Sequence, residues 1–229
     1  MISVRSPSFG VSSGGAVSVT KPAGTAAGDL LAAVHMTDVF GNTAGMTGAS
    51  GFTQEGSTYS GTGSCFGKLW QRQADGSEGS SFSFGNPDTS VVMMLAITGF
   101  NTFTPFDVTA TWSDGGANQT AQVAPSISPS VGGCLLVCAW ASTVGTGTPA
   151  PSYTPPGGMT EQADSGWAGF AFGALATEVL GAAGSTGSRT ATCAIGSSNN
   201  YTSLSLAIAP AASSGGRAPR ALSQYGGFF

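Results

Sequence analysis

Four short segments of this chain return in the same order 105 to 111 residues later, and that recurrence constrains its fold more than any other feature. Gly28-Asp-Leu-Leu-Ala-Ala-Val34 is answered by Gly133-Cys-Leu-Leu-Val-Cys-Ala139, and Gly51-Phe-Thr-Gln-Glu55 by Gly158-Met-Thr-Glu-Gln162. Phe66-Gly-Lys-Leu69 is answered by Phe172-Gly-Ala-Leu175. Gly85, with Ala96-Ile97 after ten intervening residues, is answered by Gly196 with Ala207-Ile208 at the same spacing. In a chain rich in Gly and Ala one such match means little, but four in register define two halves, about 15–100 and 124–210.

The segments inside the repeat have the period of strands. Leu204, Leu206 and Ile208 alternate with small or polar residues, which predicts one buried face at period two. The aligned Met93, Leu95 and Ile97 are flanked by Val91, Val92 and Met94, so that strand is apolar on both sides and belongs nearer the middle of a sheet. Phe106, Val108, Ala110 and Trp112 also alternate, and Asp114-Gly-Gly116 supplies a hairpin turn behind them. No stretch of ten or more residues has helical apolar spacing. The 36 glycines and 12 prolines favour turns and disfavour helix interiors. The expected class is all-β, with roughly ten to fourteen short strands.

Each half would expose a flat apolar face, and the simplest cover for it is the other half. The expectation is one jelly-roll-like β-sandwich over residues 1–212, with two separate sandwiches as the alternative. After Pro210 the composition changes. Ala211-Ala-Ser-Ser-Gly-Gly216 has the makeup of a flexible linker, and residues 213–229 read as a linker and C-terminal docking arm. Leu222, Tyr225, Phe228 and Phe229 are unfavourable in water, and Arg217 and Arg220 lie beside them. The arm is expected to dock on its own domain, a sister copy or another protein.

Charged residues are 8% of the chain against 41% hydrophobic. The apolar content argues against disorder, and the low charge implies a surface of Ser, Thr, Gly, Asn and Gln. A formal charge of −4 with scattered cations excludes a nucleic-acid groove. No apolar run is long enough for a membrane span, so no membrane insertion is expected. The opening Met-Ile-Ser-Val-Arg-Ser-Pro lacks the charged start and apolar run of a signal peptide, and synthesis in a cytoplasm is expected.

The residues offer no catalytic constellation, and no cofactor or metal site is expected. His35 is the only histidine; it ends an apolar strand, at the position answered by Trp140. Gly10-Val-Ser-Ser-Gly14 matches the nucleophile-elbow spacing but has no helix after it. Gly61-Thr-Gly-Ser-Cys-Phe-Gly67-Lys68 is one residue too long for a phosphate loop and continues with Leu69 in place of a hydroxyl residue. The acids Asp38, Asp75, Glu78, Asp88, Asp114 and Asp164 sit in or beside turn segments. Cys134 and Cys138 are four residues apart on a strand, about 13 Å, too far for a disulfide or a shared zinc ion. Buried thiols are expected, and a bridge from Cys193 to another cysteine, including Cys65, stays open. Tyr59, Tyr153, Trp167 and Tyr201, all flanked by turn residues, are candidate contacts for a host-surface glycan.

Three stretches together carry a family resemblance. Thr20-Lys-Pro-Ala-Gly-Thr-Ala-Ala-Gly-Asp-Leu-Leu31, then Ser50-Gly-Phe-Thr53, then Leu69-Trp-Gln-Arg-Gln-Ala-Asp75 with Asp75-Gly-Ser-Glu78, resemble a pattern in minor tail and other virion-associated proteins of tailed phages infecting actinobacteria. Residues 157–192 are similar to the distal part of those proteins, and the resemblance covers about residues 15–210. It departs at Phe52, where Trp is commoner. The resemblance implies a non-catalytic bacteriophage virion structural protein whose partners are other virion proteins and copies of itself. A minor tail or tail-tip component is the leading expectation. A capsid decoration or head-fibre protein is the alternative, and a carbohydrate-binding adhesin on the host envelope is the reading from another class.

Overall fold

The computed structural model describes residues 1–38, 43–61, 65–85, 88–144, 152–166, 171–194 and 198–212. It is all-β, with fifteen strands and no helix among these residues. In the first half, β1 (Ser3–Ser12), β3 (Leu30–Asp38), β4 (Thr53–Ser60), β5 (Cys65–Gln73) and β7 (Thr89–Thr98) form an antiparallel sheet of order β1-β7-β3-β5-β4. In the second half, β8 (Phe106–Gly115), β10 (Leu135–Val144), β12 (Thr160–Gly166), β13 (Ala171–Val179) and β15 (Ser198–Ile208) form a sheet of order β12-β13-β10-β15-β8.

Read from the opposite edge, the second order reproduces the first, and the registers of the central strands agree. Leu30 pairs with Ile97 as Leu135 pairs with Ile208. Val34 pairs with Leu69 as Ala139 pairs with Leu175. Thr53 pairs with Gln71 as Thr160 pairs with Thr177. β7 is buried on both faces between β1 and β3, the central place its apolar run implies.

The two large sheets face each other across a shared core. Leu30, Val34, Leu69, Met93, Leu95 and Ile97 from one half meet Leu135, Val137, Leu175, Leu204, Leu206 and Ile208 from the other. Each sheet then buries its second face under a small sheet of its own. In the first half β2 (Val17–Thr20) and β6 (Ser81–Phe84) set Val17, Val19, Phe82 and Phe84 on Leu31, Trp70, Val92 and Met94. In the second half β9 (Ala121–Ala124), β11 (Tyr153–Thr154) and β14 (Arg189–Cys193) cover Leu136, Cys138, Trp140 and Phe172. The expected sandwich is therefore the middle of a stack of four layers.

Three local expectations change. The serine side of β15 is not solvated, because Ser203 and Ser205 lie under the outer sheet, where Ser203 Oγ donates to the Val123 carbonyl at 2.6 Å. Irregular pairing between β15 and β8 turns Val108 into the outer core, while Phe106, Ala110 and Trp112 pack on the central one. Asp114 and Gly115 continue β8 and make no hairpin, and the chain then crosses to β9 in the outer layer.

Glycines allow the middle layers to approach closely. A Cβ on Gly67 would stand 2.2 Å from the ring of Trp112, which belongs to the other half. At the matching Gly173 it would meet the Met93 methyl carbon at 3.2 Å, again from the other half. The two halves thus interlock through reciprocal glycine notches.

Candidate functional site

The residues carrying the family resemblance build the start of β3. Gly28 donates to the Ala74 carbonyl at 2.7 Å, and Ala74 donates back to the Asp29 carbonyl at 2.8 Å. Asp29 is buried and accepts from Arg5 Nε at 2.6 Å and from the Ala26 N–H at 2.7 Å. Arg72 closes the neighbouring turn through Asp75 at 3.2 Å and Glu78 at 3.3 Å. Gly28 has φ +91°, a conformation that favours glycine. The second half repeats the clasp, with Gly133 at φ +79° donating to Leu180 at 2.7 Å and Leu180 donating to Cys134 at 2.8 Å. The ion pair has no copy there; Asp107 instead accepts from the backbone and hydroxyl of Ser130. These motif residues account for themselves as strand-start clasps.

Chemically versatile side chains are sealed inside. His35 is fully buried, shares a 3.2 Å hydrogen bond with the equally buried Ser90, and meets the Phe84 ring edge-on. Burial, with the nearby Lys68 charge adding to it, pushes the His35 pKa down to about 3, so the ring is neutral. The Ser90–His35 pair, not foreseen from sequence, has its two members 55 positions apart and no opening to a substrate. Cys134 and Cys138 are buried free thiols, so neither is bridged to Cys193. Burial pushes Cys138 up to about 12 and Cys134 to about 11, which suppresses thiolate chemistry. Among the described residues no three His, Cys, Asp or Glu side chains gather as metal ligands.

The aromatic glycan candidates are not presented together. Tyr153 is buried in the outer core of the second half, donating to Gln122 Oε1 at 2.8 Å, with Ser142 Oγ 3.2 Å from its hydroxyl. Burial raises its phenol well above the ordinary range. Tyr201 is buried as well, and its hydroxyl accepts from the Val123 N–H at 3.1 Å. Neither has a face open to a sugar, because Tyr153 belongs to the outer sheet and packs inward on Phe172, while Tyr201 is buried against β9 of that sheet. Tyr59 is half-buried and stacks on Trp112 at 5.4 Å with 9° between the rings. Trp167 lies outside the described residues, as do Arg217, Arg220, Leu222, Tyr225, Phe228 and Phe229 of the arm.

What the surface does present is gathered at one end. Among the described residues the exposed large apolar side chains are Met1, Phe103, Val131 and Val179. Met1 precedes β1, Phe103 lies between β7 and β8, Val131 precedes β10 and Val179 ends β13. All four belong to the pole where Leu30 pairs with Ile97 and Leu135 with Ile208. Phe103, 95% exposed, sits on a fixed loop. Asn101 Oδ1 accepts from the Phe103 and Thr104 N–H groups at 3.0 and 3.3 Å. The Asn101 N–H donates to Ala209 at 2.9 Å, and the Ala209 N–H to Pro105 at 2.8 Å. Two grooves flank the loop, one of about 490 Å³ walled by Phe106, Asp107, Val131 and Pro210, the other of about 320 Å³ beside Arg72 and Phe100. Nothing in the sequence pattern predicted this pole, since its members are single residues in four separate segments.

The architecture defines an all-β protein of stacked antiparallel sheets. Comparison with protein-family models, with curated proteins and with solved structures returns no match.

Proposed function

We propose that the chain is a non-catalytic structural protein of a tailed-phage particle, a minor tail or tail-tip component that works through protein–protein contacts. The observation that carries this reading is the apolar pole. Phe103 is held out by a loop hydrogen-bonded to the segment that follows β15, and a rigid exposed aromatic is the kind of side chain that anchors protein interfaces. The motif resemblance over residues 20–31, 50–53 and 69–78 supports the phage assignment. The matched strand orders fit a duplicated unit, a common route to a large contact surface from a small fold. A body poor in charge also suits packing against neighbours.

The test is location. Antibody labelling or a density map of purified particles is expected to place the chain on the tail, with sister copies or other virion proteins against the Phe103 pole. Its presence on the capsid would move it to the decoration or head-fibre class. Its absence from purified particles would end the virion reading. A Phe103→Ser chain is expected to fold normally and to incorporate at least tenfold less well.

A further inference from the structure

The larger groove at the pole has a wall formed by the last residues described, Pro210 to Ala212. Its other walls are Phe106, Val131 and Asp107, and Val131 is 43% exposed. Its volume of about 490 Å³ is that of a pocket able to take a sizeable group. Seventeen residues follow Ala212 in the sequence. They hold Leu222, Tyr225, Phe228 and Phe229, two arginines and no acid. Without Arg217 and Arg220 the rest of the chain has five cations against eleven acids, a charge of −6. Segment and body are therefore opposite in sign, and the groove carries a carboxylate at Asp107.

We infer that this groove is the seat of the chain's own residues 222–229, which fold back so that their aromatic side chains cover Phe106, Val131 and Pro210. Reach is not limiting, because thirteen residues from Ala212 to Tyr225 span up to about 45 Å when extended and the groove begins where the tether does. Glycine and serine at 213–216 allow the reversal. A tether of this length holds the segment at an effective concentration of roughly millimolar. At micromolar protein it therefore outcompetes the same segment of a second copy. The assignment concerns the isolated subunit and holds whether or not the chain belongs to a virion.

The full-length protein with a photo-crosslinking benzophenone residue in place of Phe228 tests it. Irradiation at micromolar concentration is expected to give crosslinks within one chain, to residues 104–107, 129–131 and 209–212. Val131→Asp is expected to lower their yield at least fivefold, while Val179→Asp, at the same pole but off the groove, leaves it unchanged. Arg217→Glu with Arg220→Glu, which leaves the folded body intact, is expected to lower it about threefold. Crosslinks elsewhere on the body, or a yield indifferent to Val131→Asp and to the arginine reversal, would overturn the assignment. So would crosslinked dimers whose share rises with concentration. Failure here would leave particle location unaffected, and absence from particles would leave these crosslinks unaffected.

Discussion

The two halves share strand order and register yet differ in what they place beneath their outer sheets. The first half is almost wholly apolar there: Phe52 meets Phe82 and Phe84 edge-on, each at 5.2 Å, over Trp70, Val92 and Met94. The second half has Ser203 and Ser205 where the first has Val92 and Met94, and it adds the closed Gln122–Ser142–Tyr153 set, in which Gln122 Nε2 donates to Ser142 at 2.8 Å. One backbone therefore accepts either an oily or a hydrogen-bonded interlayer, provided each buried polar atom finds a partner. The exceptions show where the match is imperfect. Beneath the outer sheets His35 Nδ1, its counterpart Trp140 Nε1 and Trp70 Nε1 make no hydrogen bond, and elsewhere neither do Asp164 Oδ1 and, at the place of the central-core Val91, Thr202 Oγ1.

The strongest way to break the equivalence is at the His35/Trp140 position. Trp140→Ala removes the largest fully buried side chain of the second half, and a loss of about 3–5 kcal/mol in urea unfolding is expected. His35→Ala at the matching site is expected to lose less than half as much. The glycine notches come next. Gly67→Ala drives a Cβ into Trp112 and is expected to lose about 3 kcal/mol, whereas Gly173→Ala, with 3.0 Å or more to its nearest neighbours, loses about 1 kcal/mol.

Acid should separate the halves further. The folded His35 pKa lies below its unfolded value of 6.5, so the unfolded chain binds the extra proton first. Its stabilising contribution is complete above pH 6.5 and is lost as pH falls toward 3, at about 1.4 kcal/mol per pH unit. Denaturation at pH 5.5 and 4.5 should show that loss in the parent, and His35→Leu should flatten it. The smallest effect is a gain. Thr202 occupies the place of Val91, and Thr202→Val removes a hydroxyl buried without a partner, so a stabilisation of about 1 kcal/mol is expected. A destabilised variant would mean that the hydroxyl has a partner after all.

Much of this frame was legible in the sequence because strand interiors repeat their apolar alternation and turns repeat their glycines. Gly28 and Gly133, like Gly51 and Gly158, adopt positive φ in both halves. The four layers were not legible, because a serine facing a second sheet and a serine facing water look alike at period two. Ser203 shows this directly. The turn composition around Tyr153 and Tyr201 suggested exposure, but β9, β11 and β14 form a sheet by pairing between distant segments, and it turns Tyr153 inward and closes over Tyr201. Val108 was misplaced because two irregular pairings, one on each side of Ala207, turn it over while Phe106, Ala110 and Trp112 keep the central face, and no residue type announces them.

The ties near Pro210 also have a mechanical meaning. Ala211 donates to the Gly99 carbonyl at 2.8 Å, and Asn101 donates to that of Ala209 at 2.9 Å. A pull exerted beyond Ala212 is therefore delivered to the junction between the halves before it reaches the end of β15. Tension applied there is shared by both large sheets from the outset.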